Sequence, residues 1–143
     1  MKKIGHFLLA VFLLMALVGG ISCQSKTAQY TTATPEGTVR AFLKAYSEMD
    51  GEKVAQLCVE SQREKVRSYF GGLSKEFESI TFSNIKIEVV DKNENTALVK
   101  VQFDVTTTIK EGFPSKTVRP KQEARLSLVK REGKWLIETK LVV

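Results

Sequence analysis

The apolar residues of this chain change their spacing once, near position 80, and that change constrains the fold more than any other feature. Before it they recur at helical intervals. Val39, Phe42, Leu43 and Tyr46 fall at i, i+3, i+4 and i+7, which lines one face of a helix. After it they alternate with polar residues. Ala97, Val99, Val101, Phe103 and Val105 are separated by Leu98, Lys100, Gln102 and Asp104, the two-residue period of a half-buried strand. Helices first and alternating strands afterwards predict an α+β domain, with N-terminal helices packed on one face of an antiparallel sheet of about four strands.

Local signals divide the chain further. Thr34 suits an N-cap, Pro35 the first helical position and Glu36 the positive end of the helix dipole. Asp50-Gly51 breaks this first helix. A second, over 52–59, places Val54, Leu57 and Cys58 on one face. Ser61 with Glu64 has capping-box spacing, and a third helix buries Val66, Tyr69 and Phe70 before Gly71-Gly72 stops it. Strands are expected from about Ile80, with Ile85, Ile87 and Val89 alternating, and again after the polar turn 91–95. A loop over 110–114 leads to a strand over 117–130 with Ala124, Leu126 and Leu128 on one face. Pro120 interrupts that strand or confines it to an edge. After a turn at Glu132-Gly133, Trp135, Ile137, Leu141 and Val143 form the last strand.

The N-terminus is an address rather than part of the domain. Lys2 and Lys3 precede an apolar run over 7–18, the pattern of a secretory signal peptide. The run falls short of the ~20 residues that a membrane-spanning helix needs. It ends in Gly19-Gly20-Ile21-Ser22-Cys23, which resembles the lipobox of bacterial lipoproteins. That resemblance implies cleavage before Cys23 and lipidation of its thiol. An ordinary signal cut near Ser22, with Cys23 a free thiol, is the other reading. One acyl chain gives marginal membrane binding and stable anchoring needs more; lipoproteins carry a diacylglyceryl group and often a third chain. The expected divisions are therefore a signal over 1–22, the lipidated cysteine and a polar tether over 23–34, and a domain over 35–143. The protein would sit on the cell membrane or outer membrane, facing the periplasm or exterior. Gln24 in place of aspartate leans towards the outer membrane.

Cleavage also changes the chemistry. It removes Lys2, Lys3 and His6, lowering the formal net charge from +6 to +4 and taking away the single histidine. Ser-His-Asp and Cys-His arrangements and histidine zinc sites go with it, so neither metal nor cofactor is expected. With Cys23 lipidated, Cys58 has no disulfide partner and reads as a small buried apolar residue. Lys116, Arg119, Lys121 and Arg125 form a candidate basic surface. It would face anionic lipid headgroups or simply be a solvated edge strand whose lysines deter pairing. Nucleic acid is excluded as a partner of an exported protein.

Three segments carry a further resemblance. Thr34 to Leu43, the Asp50-Gly51-Glu52-Lys53-Val54-Ala55-Gln56-Leu57 stretch, and the glycine turn before Trp135 in Leu128 to Ile137 resemble the opening helix, second helix and closing hairpin of nuclear-transport-factor-two-like domains (also called SnoaL-like or cystatin-like). The branch they are most similar to is that of lumazine-binding-like bacterial lipoproteins. The resemblance implies a curved sheet around the first helix, forming a cone with a pocket lined by Phe42, Tyr46, Tyr69, Phe103 and Trp135. Enzymes of this superfamily use carboxylates, histidines or tyrosines there. Ketosteroid isomerases use a tyrosine of the first helix, where this chain has Phe42. Glu48 and Asp50, at the end of that helix, are the remaining acid candidates, and Asp104 is expected outside, in a cross-strand ion pair. The expectation is a non-enzymatic module at the cell envelope that binds a small apolar ligand or an envelope protein. An isomerase or dehydratase-type enzyme, or a homodimer pairing through the outer sheet face, are the alternatives.

Overall fold

The computed structural model describes residues 31–110, 112 and 115–138. The signal, Cys23, most of the tether, Leu141 and Val143 lie outside them. Three helices, α1 (Pro35–Ser47), α2 (Gly51–Gln56) and α3 (Glu60–Glu76), precede four strands, β1 (Phe77–Lys92), β2 (Thr96–Ile109), β3 (Lys116–Arg131) and β4 (Lys134–Ile137). The strands form one antiparallel sheet in the order β1-β2-β3-β4. No helix among the described residues is long and apolar enough to cross a membrane.

Each helix start has a local cause. The Thr34 hydroxyl accepts from the Gly37 N–H at 3.0 Å, and Asp50 caps α2 by accepting from the Lys53 N–H at 3.0 Å. Asp50-Gly51 thus ends one helix and begins the next. Gly51 is required there, because a Cβ would stand 2.7 Å from the Phe70 Cβ. The ion pair of Arg67 with Glu52, at 2.7 Å, joins α3 to α2.

Two expectations about α3 are corrected. Its N-cap is Val59, with no side-chain cap, so the Ser61–Glu64 box does not form. The helix also runs through Gly71-Gly72 to Glu76. Val66, Phe70 and Leu73 continue one buried stripe. Burying Leu73 is worth roughly 2 kcal/mol, against a penalty of about 1 kcal/mol for each helical glycine. The chain enters β1 at Phe77 without a loop.

The sheet bends at one level across three strands. Asn84 in β1 and Lys121 in β3 both have positive φ, 51° and 54°, and both sit at register shifts against β2. Between them Asp104 accepts from the Asn84 amide at 2.7 Å and from the Lys121 N–H at 2.8 Å. The expected ion pair of Asp104 is therefore replaced by a bracket that holds two β-bulges, and bulges re-aim strands and raise local curvature. Pro120, which has no N–H to donate, precedes the bulge in β3.

The core lies between α1 and the concave face. Val39, Phe42, Leu43 and Tyr46 meet Val99, Val101, Leu126, Leu128, Trp135 and Ile137. Cys58 is fully buried and lies in an isolated bridge with Ile137. Burial pushes its thiol pKa up to about 11, so it stays protonated and unreactive at neutral pH.

Candidate functional site

The bends bring six aromatic rings together at one end of the concave face. Tyr46 comes from the buried stripe of α1, Tyr69 and Phe70 from α3, Phe82 from β1 and Phe103 from β2. Tyr46 packs edge-on against Phe42, Phe70 and Phe82, with ring centroids 5.8, 4.8 and 5.5 Å apart. Phe82 packs against Phe103 at 5.2 Å. The Tyr46 and Tyr69 hydroxyls share a hydrogen bond of 3.0 Å. Burial, reinforced by that bond, raises the Tyr46 phenol pKa far above its ordinary value. It stays protonated at neutral pH in an apolar setting, and either hydroxyl of the pair can be the donor. Tyr69 is 39% exposed, so the pair opens to solvent on the α3 side.

Four of the five residues expected to line a pocket thus converge. Tyr69, expected to be buried, forms the rim instead. Trp135 is the fifth and is placed elsewhere. It is buried in β4, its N–H donates to the Thr32 carbonyl at 2.8 Å, and its ring lies under the Lys92 and Lys130 ammonium groups. It belongs to the core where the tether joins the domain. Phe70 and Phe82 were missed by sequence reasoning as site residues. Phe70 follows Tyr69 on the α3 stripe, and Phe82 precedes the β1 bulge, which breaks the alternation.

A groove of about 410 Å³ runs beside this cluster, between α1 and β1. Leu43, Ile80, Phe82 and Ile85 supply its apolar wall, and Arg40, Lys44, Ser47, Ser79 and Thr81 its polar one. Phe82 belongs to both groove and cluster. Arg40 also escaped the sequence reading. Its only signal was a second cation at i+4, Lys44.

The acid candidates do not reach either feature. Glu48 and Asp50 both lie 3.3 Å from the Lys53 ammonium at the surface. The backbone and side chain of Lys53 hold the Asp50 carboxyl below the usual aspartate range. Among the described residues no group of three potential ligands could hold a metal ion.

The candidate basic surface is divided. Register sets Arg119 opposite Val105, on the face of Phe82, and Lys116 and Arg125 opposite Thr108 and Lys100, on the other face. Lys121 occupies the bulge between them. Glu123 also lies 3.3 Å from Lys100 and 3.9 Å from Arg125, so the stripe is not one positive field. The outer sheet face is polar along Lys86, Glu88, Lys100, Gln102, Glu123 and Arg125.

No family model matches the chain, and no curated protein matches it. Solved structures do. A protein from Novosphingobium aromaticivorans named as a candidate scytalone dehydratase superposes with a TM-score of 0.59 at 18% identity, covering 72% of this chain and 76% of its own. A second from the same organism, named as a candidate aromatic ring hydroxylase, gives 0.60 at 13% identity, covering 70% and 78%. The fold is the nuclear-transport-factor-two-like one. The intermembrane-space region of the chloroplast protein ARC6 shares it as well, with a TM-score of 0.59 at 13% identity over 76% and 92% of the two chains.

These neighbours correct one expectation. The sequence, with no convergent catalytic groups and no histidine in the mature domain, predicts a non-enzyme, yet proteins named as dehydratase and hydroxylase carry the same fold. Acid–base chemistry can use tyrosine or carboxylate groups as well as imidazole, so the missing histidine does not exclude an enzyme.

Proposed function

We propose that this chain is a lipid-anchored extracytoplasmic protein whose domain binds a small molecule with an apolar body at the Tyr46–Tyr69 cluster. One observation carries the reading. Two helices and two strands deliver aromatic side chains to one place, with a paired phenol at its solvent-facing rim. Apolar walls with a few convergent polar groups are what small-ligand sites are made of. Nile red, a neutral apolar dye, is the probe. Its emission should shift to the blue with saturable binding, and Tyr69→Ala should weaken that binding about fivefold, since a lost aromatic contact costs roughly 1 kcal/mol. No saturable binding to the folded protein would refute the reading.

A second reading follows from the Tyr46 hydroxyl. A buried, protonated donor is suited to a developing oxyanion, and dehydratase is among the names that the fold's other carriers bear. If the domain turns its ligand over, captured ligand should return chemically altered from the native protein and unaltered from Tyr46→Phe. Mass spectrometry of the released ligand reads this.

The anchor is tested separately. Cys23→Ala should leave the protein unprocessed or shift it from the membrane to the soluble envelope fraction. Unchanged processing and membrane retention would refute lipidation at Cys23.

A further inference from the structure

We propose that the groove between α1 and β1 recognises the carboxylate of an amphipathic small molecule whose apolar chain lies along Phe82 towards the aromatic cluster. This rests on the ligand-binding reading and names the class of ligand.

The charge of the groove is one-sided. Arg40 and Lys44 lie on its wall, and among the described residues no acid lines it. Two other grooves among the described residues differ. The one between α1 and α2 contains Glu48, paired with Lys53, and the one on the outer sheet face contains Asp104. Arg40 is half-buried, and among the described residues it makes neither an ion pair nor a hydrogen bond. Two arginines of α3, by contrast, close on acceptors, Arg67 on Glu52 and Arg63 on the Cys58 carbonyl. The N–H donors of the Arg40 guanidinium are thus left without an acceptor among the described residues. Its planar fork matches a carboxylate in a bidentate pair.

The rest of the groove fits an apolar tail. Ile80 and Phe82 form its floor, and the Phe82 ring leads to Tyr46 at 5.5 Å. A volume near 410 Å³ lies within the ~300–1,000 Å³ of small-molecule sites. The polar end of the ligand would therefore sit at Arg40 and its chain at Phe82.

Decanoate and decan-1-ol, equal in chain length and different in charge, separate the two parts of this proposal. Calorimetry on the full-length mature chain carrying Cys23→Ala should show decanoate binding about tenfold more tightly than decanol, the range of a charge-assisted hydrogen bond. Arg40→Gln should abolish the difference and Arg40→Lys should restore part of it. Lys121→Gln, outside the groove, should change nothing. Circular-dichroism melts of the variants check that they fold. Equal binding of the two probes, or selectivity that survives Arg40→Gln, overturns the carboxylate proposal while leaving an apolar site intact. Binding of Nile red without either decyl probe does the same. Failure of all three probes overturns the ligand-binding reading as well. Self-association that Arg40→Gln disrupts, without decanoate binding, would assign the groove to a second copy and overturn the proposal.

Discussion

The shared hydrogen bond of Tyr46 and Tyr69 is the most informative contact between two side chains in the molecule. Deleting one hydroxyl leaves the other without its partner. The cost is unequal, because Tyr69 reaches water and Tyr46 is buried. Removing the Tyr69 hydroxyl strands a buried hydroxyl, so Tyr69→Phe should destabilise by about 1–2 kcal/mol. Tyr46→Phe removes the buried group itself and should cost less, about 0.5–1 kcal/mol. Urea denaturation of both variants and of the double variant tests this. Additive losses would show that the bond contributes no coupling. Tyr46 was legible in the sequence because it completes the i+7 position of one stripe. The exposure of Tyr69 was not, since Phe70 beside it takes the buried place and a stripe read to within one residue does not say which of the two turns inward. Arg40 was illegible for a different reason. Its isolation depends on which strand lies opposite α1, and pairing between elements is not written in the spacing within one.

The elements show where local rules yield to packing and where they hold. Gly71-Gly72 has the composition of a helix stop, yet α3 passes through it because Leu73 continues the buried face. Both glycines are exposed in the helix, and a Cβ at either would meet nothing within 4 Å. Gly71→Ala and Gly72→Ala should therefore each stabilise by about 0.5–1 kcal/mol, read as higher urea midpoints. A loss of stability would mean that the helix ends earlier than Glu76. The sheet shows the opposite balance. Its alternation is regular in β2 and broken in β1 and β3, and Asp104 on the regular strand holds both breaks. The Lys121 N–H and the Asn84 amide keep its carboxyl below the usual aspartate range. A folded-state pKa below the unfolded one adds stability above the unfolded value, which is lost as pH falls through the folded one. The native protein should thus lose stability below about pH 4, and Asp104→Ala should lower the melting temperature at pH 7 while flattening that part of the acid profile. An unchanged profile would show that the bulges hold without the bracket. The bracket was illegible because a lone aspartate between alternating residues looks like any solvated outward position.

At the scale of the whole molecule, the two sheet edges are treated differently. The β4 edge is closed by the rest of the chain. The Trp135 N–H donates to Thr32, the Ile137 N–H to Leu57, and the Ile137 carbonyl accepts from Val59. Among the described residues the β1 edge has no strand partner; it runs beside the α1 groove, where β1 itself is interrupted by a bulge, a feature that discourages edge-to-edge pairing. The α+β order was legible because one change of period separates helices from sheet. The closure of β4 was not, because it joins residues far apart in sequence. Thr38 is the clearest case. It sits on α1 among apolar neighbours, fully buried, with its hydroxyl 3.1 Å from the carbonyl oxygens of both Thr34 and Trp135. It ties the first helix to the last strand across 97 positions. Thr38→Val keeps the shape and removes the donor, which leaves the Trp135 carbonyl short of a partner in the core. The expected loss is about 1–3 kcal/mol, with Thr38→Ser recovering most of it. Urea denaturation gives the size of the loss. Hydrogen exchange gives its place: faster exchange should appear at Trp135 and Ile137 before it appears in β1 or β2. Faster exchange spread evenly over the sheet, or a Thr38→Val variant as stable as the native protein, would show that the first helix is held to the last strand by apolar packing alone.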